Sequence, residues 1–218
     1  MEVECVPFKE TGYFSRLICD YLDQKEDLKP FYNRFPQLEN FKDQIKEKEA
    51  SFPSHRRAIL VDVLKEQYKG IAVSEPTQEN ISSLGNSTTF TVVTGHQLNL
   101  FTGPLYFLYK IVSTINLTKK LKETYPEYHF VPIYWMATED HDFEEINYFN
   151  FKGQKVQWNK EASGAVGRFQ TDGLDAVLQT FSANLGNSTN AQYLKGLFQT
   201  AYLEHNTLTE ATRFLANA

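Results

Sequence analysis

The sequence predicts an α/β fold: a parallel βαβ core, a helical segment ahead of it, and a small β and helical segment after it. Three observations carry that expectation. Thr89 to Thr94 is a β-branched and aromatic run that stops at Gly95, and Phe130 to Met136 is a second such run. Runs of this composition, closed by glycine or turn residues, are strand signals. Between them a helical pattern opens at Gly103-Pro104 and closes near Glu123. Strand, helix and strand within about fifty residues make a βαβ unit with parallel strands and a right-handed crossover.

Residues 1–87 read as a helical segment that packs on this core. Phe14, Leu17, Ile18, Tyr21 and Leu22 fall at helix spacing within Gly12 to Leu22,. Pro30 and Pro36 break the next stretch, leaving Phe31, Tyr32 and Phe35 as packing aromatics in a connection. Leu38 to Ala50 carries a thin apolar stripe of Leu38, Phe41 and Ile45 on a charged helix. Pro53 opens a helix to Tyr68 with Leu60, Val63, Leu64 and Tyr68 on one face and Gly70 at its end. His55, Arg56 and Arg57 in its first turn oppose the helix dipole and read as a surface patch,.

After the core unit, residues 151–218 read as a connecting insertion. Ile146 to Phe151 and Lys155 to Trp158 alternate around Gly153, and Val166 to Gln170 is a candidate third short strand,. Gly173 to Leu185 and Ala191 to Glu204 are helical, the second preceded by the capping cluster Ser188-Thr189-Asn190,. A last helix begins near Thr207 with Leu208, Ala211, Phe214 and Leu215 apolar, so the chain is expected to end in mid-domain.

Two polar motifs fall at the carboxyl ends of the predicted strands, where ligands bind in open α/β sheets. In the first, Gly95 permits positive φ or close backbone approach, and His96 and Gln97 offer donors and acceptors at the strand tip,. Gly103 suits the N-cap and Pro104 the first turn of the following helix. The free N–H groups there make a place for an anion. Lys110, seven residues after Gly103, shares that helix face and leans back toward the same spot,. In the second, Glu139, Asp140, Asp142, Glu144 and Glu145 surround His141 just after the apolar run Val131 to Ala137. Carboxylates and a histidine at the tip of a buried strand are placed where their proton affinities are usefully shifted.

Composition bounds the rest. The 218 residues carry 22 Lys and Arg against 27 Asp and Glu, and no basic stripe, which argues against nucleic acid as the main partner,. Lys119, Lys120 and Lys122 close the central helix and suit its dipole,. No apolar run reaches the roughly 18 residues that cross a bilayer, and the N-terminus lacks a signal pattern. Cys5 and Cys19 are too few for a disulfide scaffold, so reduced thiols and a cytoplasmic location are expected,.

TGHQLNLFTGPLYFLYK followed by VPIYWMATEDHDFEEIN resembles the bacillithiol biosynthesis cysteine-adding enzyme family, BshC. Members carry TGQQ-x-x-L-x-x-GP-x-Y-x-x-x-K and then P-V-F-W-x-A-x-EDHD-x-x-E-x-N; His96 stands where the family usually has glutamine. The resemblance implies a Rossmann-like core similar to class I aminoacyl-tRNA synthetases and nucleotidylyltransferases, and dimerisation through a C-terminal coiled coil. It also implies a chain roughly twice this long or more, so the present one is expected to be an N-terminal part with an incomplete core. The implied activity is a carbon–nitrogen ligase that joins L-cysteine to the amine of glucosaminyl-malate, both small molecules, in the cytoplasm. No cofactor is fixed by a motif, and the synthetase-like core suggests ATP or another nucleotide.

For that reaction Gly103, Pro104 and Lys110 offer a place for a carboxylate or phosphate, with Gly95, His96 and Gln97 beside it. Asp140, His141 or Asp142, with Glu139, offer a proton acceptor or hydroxyl ligands, and Trp135 and Tyr106 an apolar wall. Two other readings stand beside this one. Asp140-His141-Asp142 is a candidate divalent-metal cluster of a hydrolase, although adjacent strand residues point to opposite faces. The chain also reads as a non-catalytic ligand-binding or interaction fragment.

Overall fold

A glycine ends the first helix of residues 4–53 and a serine starts the second. The computed structural model describes residues 4–218, which fall into two compact units divided between Pro53 and Ser54. In the first, α1 (Phe8–Thr11) stops at Gly12 with φ 71°, and α2 (Arg16–Leu22) starts from Ser15, whose side chain accepts from the Ile18 N–H. The helix expected over Gly12 to Leu22 therefore starts four residues late, after a left-handed glycine that no helix continues through. A 3-10 helix over Glu26–Phe31 and another over Leu38–Asn40 lead into α3 (Phe41–Ser51), where Ile45 is buried. Tyr21 packs against Tyr32 and Phe35 at 5.2 and 5.1 Å between ring centroids. Phe31, expected to pack with them, is 83% exposed.

The second unit opens with α4 (Ser54–Gln67) and α5 (Glu75–Ser83), the latter capped by Ser74. The buried face of α4 is Arg57 and Val61, with Leu60 and Leu64 partly covered, while Val63 points outward. Arg57 corrects the surface-patch reading. Its guanidinium is buried and donates to the carbonyls of Leu84 (3.2 Å), Ser87 (3.2 Å) and Thr89 (2.8 Å). An always-charged fork of donors satisfies the carbonyls that lead into the first strand.

That strand, β1 (Thr89–His96), pairs in parallel with β2 (His129–Met136), in register from Thr89↔His129 to His96↔Met136. Helix α6 (Tyr106–Thr124) connects them and buries Phe107, Thr114, Thr118 and Leu121. Leu60, Val61 and Leu64 of α4 and Leu84 pack with Val131 and Ile133 of β2. The βαβ unit is thus present with strands slightly longer than expected, and its sheet has two strands.

Downstream come α7 (Phe143–Ile146) and the antiparallel hairpin β3 (Tyr148–Phe151) and β4 (Gln154–Gln157). The hairpin turns on Lys152 and Gly153, both at positive φ (50° and 76°), as tight two-residue loops require,. The third short strand expected at Val166 to Gln170 is instead a 3-10 helix over Val166–Arg168, with one isolated bridge from Gln170 to Thr207. Its backbone is committed elsewhere: the Val166 N–H donates to the Asp140 carbonyl (2.7 Å) and the Gly167 N–H to the Thr138 carbonyl (3.0 Å).

Helices α8 (Leu174–Leu185), α9 (Thr189–Leu203) and α10 (Leu208–Asn217) follow, α9 capped by Ser188 and α10 by a Thr207–Glu210 capping box. They enclose the main core with Phe143, Trp158, Phe169, Phe181, Phe198 and Tyr202. Among the described residues no helix is long and apolar enough to cross a membrane.

Candidate functional site

The segment between β1 and α6 is the most strained stretch of backbone described. Phe101 lies at φ 51°, ψ 39°, Thr102 at φ 64° and Gly103 at φ 47°, ψ −139°. Left-handed conformations cost non-glycine residues about 1–2 kcal/mol each, and a β-branched residue there is an outlier. Phe101 shows what offsets the cost. Its ring sits in the core 5.1 Å from Phe149, 5.4 Å from Phe181, 5.0 Å from Phe198 and 4.7 Å from Tyr202. Burying a phenyl ring contributes roughly 1.5–3 kcal/mol, with about 0.5–1.5 more for each well-placed aromatic pair. A side chain pulled inward thus turns the loop outward and sets the start of α6.

Gly103 is required in that turn. An added Cβ would lie 2.3 Å from Asn99 Cβ, and the backbone conformation is one that glycine alone adopts freely,. The helix consequently begins at Tyr106 rather than at Gly103-Pro104, with the Pro104 carbonyl accepting from the Phe107 N–H at 2.9 Å. Gly95 is different: its φ is not positive, and a Cβ there would meet Trp135 only at ordinary contact, 3.6 Å. Neither reason given for a glycine there applies.

Gln97 joins the two motifs. Its Nε2 donates to Asp140 Oδ2 at 2.9 Å and to Glu145 Oε2 at 2.7 Å. Asp140 Oδ1 accepts from the Asp142 backbone N–H at 3.0 Å. That N–H, and after it the Gln97 amide, hold the Asp140 carboxyl below the usual carboxylate range,. A carboxylate so held is a weak base near neutral pH and a firm anchor.

A cavity of about 770 Å³ opens beside this bridge, its lining including Gln97, Asn99, Phe101 to Tyr106, Glu145 and the hairpin residues Tyr148 to Phe151. Its lining includes both the acidic Glu145 carboxylate and the start of α6, where N–H groups and the positive dipole end favour an anion,. Asn99 is buried, and its Oδ1 has no hydrogen-bond partner among the described residues. A buried unpaired amide oxygen is costly to keep and calls for an explanation.

The structure thus gathers Gln97, Gly103, Pro104 and Tyr106 at one cavity and ties Asp140 to them through Gln97. His96 turns away. It is buried with its ring 4.9 Å from Tyr106 and 5.4 Å from Phe107, and its Nδ1 is 3.0 Å from the Gln97 carbonyl oxygen. Lys110 donates to the Gly95 carbonyl at 3.0 Å, bracing the strand tip from outside the cavity lining. Trp135 is 59% exposed and not in the lining. Glu139 is exposed, and the His141 and Asp142 side chains project to solvent 4.0 Å apart. Among the described residues no three His, Cys, Asp or Glu side chains gather as a metal would require,.

Sequence reasoning placed Glu145 in the acidic motif without giving it a role, and passed over Asn99 and Thr102. Glu145 was within reach, because the glutamate that follows EDHD in the family pattern falls on it. Nothing local marked Asn99 or Thr102, whose places depend on the left-handed turn.

The family model for "Bacillithiol biosynthesis BshC, N-terminal Rossmann-like domain" matches residues 1–218. Relatives named as proposed cysteine ligases BshC include those of Flavobacterium johnsoniae, 61% identical over the whole chain, and Flavobacterium psychrophilum, 62% identical over the whole chain. The protein of the same name from Christiangramia forsetii is 58% identical over 221 aligned positions and likewise covers the whole chain. In each case the chain spans 41% of the relative's length.

Proposed function

Because the chain belongs to the BshC family through its N-terminal Rossmann-like domain, we propose that it supplies the acceptor-binding portion of a cytoplasmic cysteine ligase. The acceptor is glucosaminyl-malate, and the bond formed is the amide between its amine and the carboxyl of L-cysteine, with loss of water. The observation that carries this reading is the Gln97 bridge to Asp140 and Glu145, of which Gln97 and Glu145 line the cavity. An amine and a carboxylate on one substrate match an acidic group and a helix start in the lining of one cavity.

In this arrangement Glu145 takes the substrate ammonium and accepts its proton, freeing the nitrogen lone pair for attack. Asp140 stays ionised and orients Gln97. The start of α6 holds a malate carboxylate, and Tyr106 and Tyr148 flank the ligand. The cysteine carboxyl has to be activated by a co-reactant. ATP, in the manner of the class I synthetase-like fold, is the one the resemblance suggests. The described lining has no lysine or arginine and includes the Glu145 carboxylate, so it does not fit a triphosphate,.

Calorimetric titration of glucosaminyl-malate into the chain tests the proposal, with mass spectrometry of mixtures containing cysteine and ATP as the readout of turnover. Saturable binding that malate alone competes for is the expected result. Absence of both heat and thermal stabilisation at millimolar acceptor would refute it.

A further inference from the structure

The cavity's most unusual wall is the strained segment from Asn99 to Gly103, and the group that pins it comes from a distant helix. Tyr202 on α9 is fully buried, and its hydroxyl oxygen accepts the Phe101 backbone N–H at 2.8 Å, across 101 positions of sequence. The two rings also pack at 4.7 Å between centroids. Phe101 and Thr102 on either side of this bond hold left-handed backbone, and Asn99 fills the space over Gly103. Asn99, Phe101, Thr102 and Gly103 all line the cavity, whereas Tyr202 does not.

We propose that Tyr202 is a positioning residue for this cavity: its hydroxyl locks Phe101 inward and so holds Asn99, Thr102 and the start of α6 in the geometry that receives the acceptor's carboxylate. The assignment rests on the acceptor-binding reading above. Without the hydroxyl, the Phe101 N–H loses its partner and the segment can relax from left-handed backbone toward conformations that other residues prefer. The ring contacts that hold the core remain, so the effect falls on the loop rather than on the fold.

Tyr202→Phe separates the two roles, since it removes one oxygen and keeps the aromatic packing. Hydrogen exchange of the 100–105 amides and the glucosaminyl-malate dissociation constant are measured on wild type and variant, with near-ultraviolet circular dichroism as the check of fold. Exchange at Phe101 is expected to rise about tenfold and affinity to fall about tenfold, the loss of one buried hydrogen bond. Exchange in the rest of α9 should stay at its wild-type level. Faster exchange with unchanged affinity overturns the positioning role alone, and unchanged exchange overturns the lock itself. Absence of acceptor binding by the wild type removes the underlying reading and the positioning role together. Should the variant fail to fold, the wild-type chain still decides the matter. A Phe101 amide that exchanges like an exposed loop overturns the proposal, and one as protected as the α9 core supports it.

Discussion

Gln97 matters because one amide nitrogen serves two carboxylates that lie 43 and 48 positions away in sequence. Of those two, Glu145 faces the cavity, so Glu145→Gln is expected to weaken acceptor binding about tenfold or more by calorimetry, through loss of a charge-assisted hydrogen bond. Asp142→Ala should change it by no more than about twofold, the range of ordinary surface substitutions. The Asp142 contribution to Asp140 comes from its backbone N–H, which alanine keeps. Asp140 also fixes a pH dependence. Its carboxyl is held below the usual range in the folded chain. The bridge therefore contributes stability above the ordinary carboxylate pKa near about 4 and loses it as pH falls through the lower folded value. Thermal unfolding followed from pH 7 down to 3 should show that loss for the wild type and a smaller one for Asp140→Asn.

Two loops, one from each motif, are shaped by elements that sequence spacing does not reveal. The acidic tip after β2 is held from behind by the 3-10 helix over Val166–Arg168, through the Val166 and Gly167 N–H groups. The Gly167 carbonyl in turn accepts from Thr209 Oγ1 at 2.7 Å. A Cβ at Gly167 would come within 2.5 Å of Thr209 Oγ1 and 2.9 Å of the Thr138 carbonyl oxygen. Gly167→Ala is accordingly expected to cost about 2 kcal/mol in denaturant unfolding, in the range of overpacking and backbone strain, and to displace the Asp140 loop. The strands themselves were legible: β-branched runs ending at polar tips appear within two residues of their expected limits. The left-handed turn at Phe101 to Gly103 was not, because it follows from where the Phe101 ring is buried. The Val166 segment looked like a strand because its composition is apolar, but its N–H groups are spent on the acidic loop.

Across the whole molecule, the α/β class, the βαβ unit and the three closing helices were readable from periodicity and capping residues. The two polar motifs were readable as lying at one end of a sheet, after the carboxyl ends of β1 and β2. What could not be read was which side chain of each motif turns inward: Gln97 rather than His96, and Glu145 rather than His141. Burial also leaves a mark on the molecule as a whole. Of the 12 tyrosines, Tyr134 and Tyr202 have phenols pushed well above their ordinary value by burial. Folded-state values raised in this way give stability that is complete below the unfolded pKa near about 10 and is lost as pH rises beyond it. Absorbance titration into alkali should therefore show these two phenols ionising late, together with loss of near-ultraviolet circular dichroism. Early ionisation of all 12 in a still-folded chain would contradict the packing around Phe101.

The central claim is that the acceptor sits between Glu145 and the start of α6, and amide chemical-shift mapping during titration with glucosaminyl-malate tests it most directly. The account predicts the largest changes at Gln97, Gly103 to Tyr106 and Glu145 to Phe149. Changes centred on Trp135, His141 and Asp142, with the cavity residues silent, would contradict it.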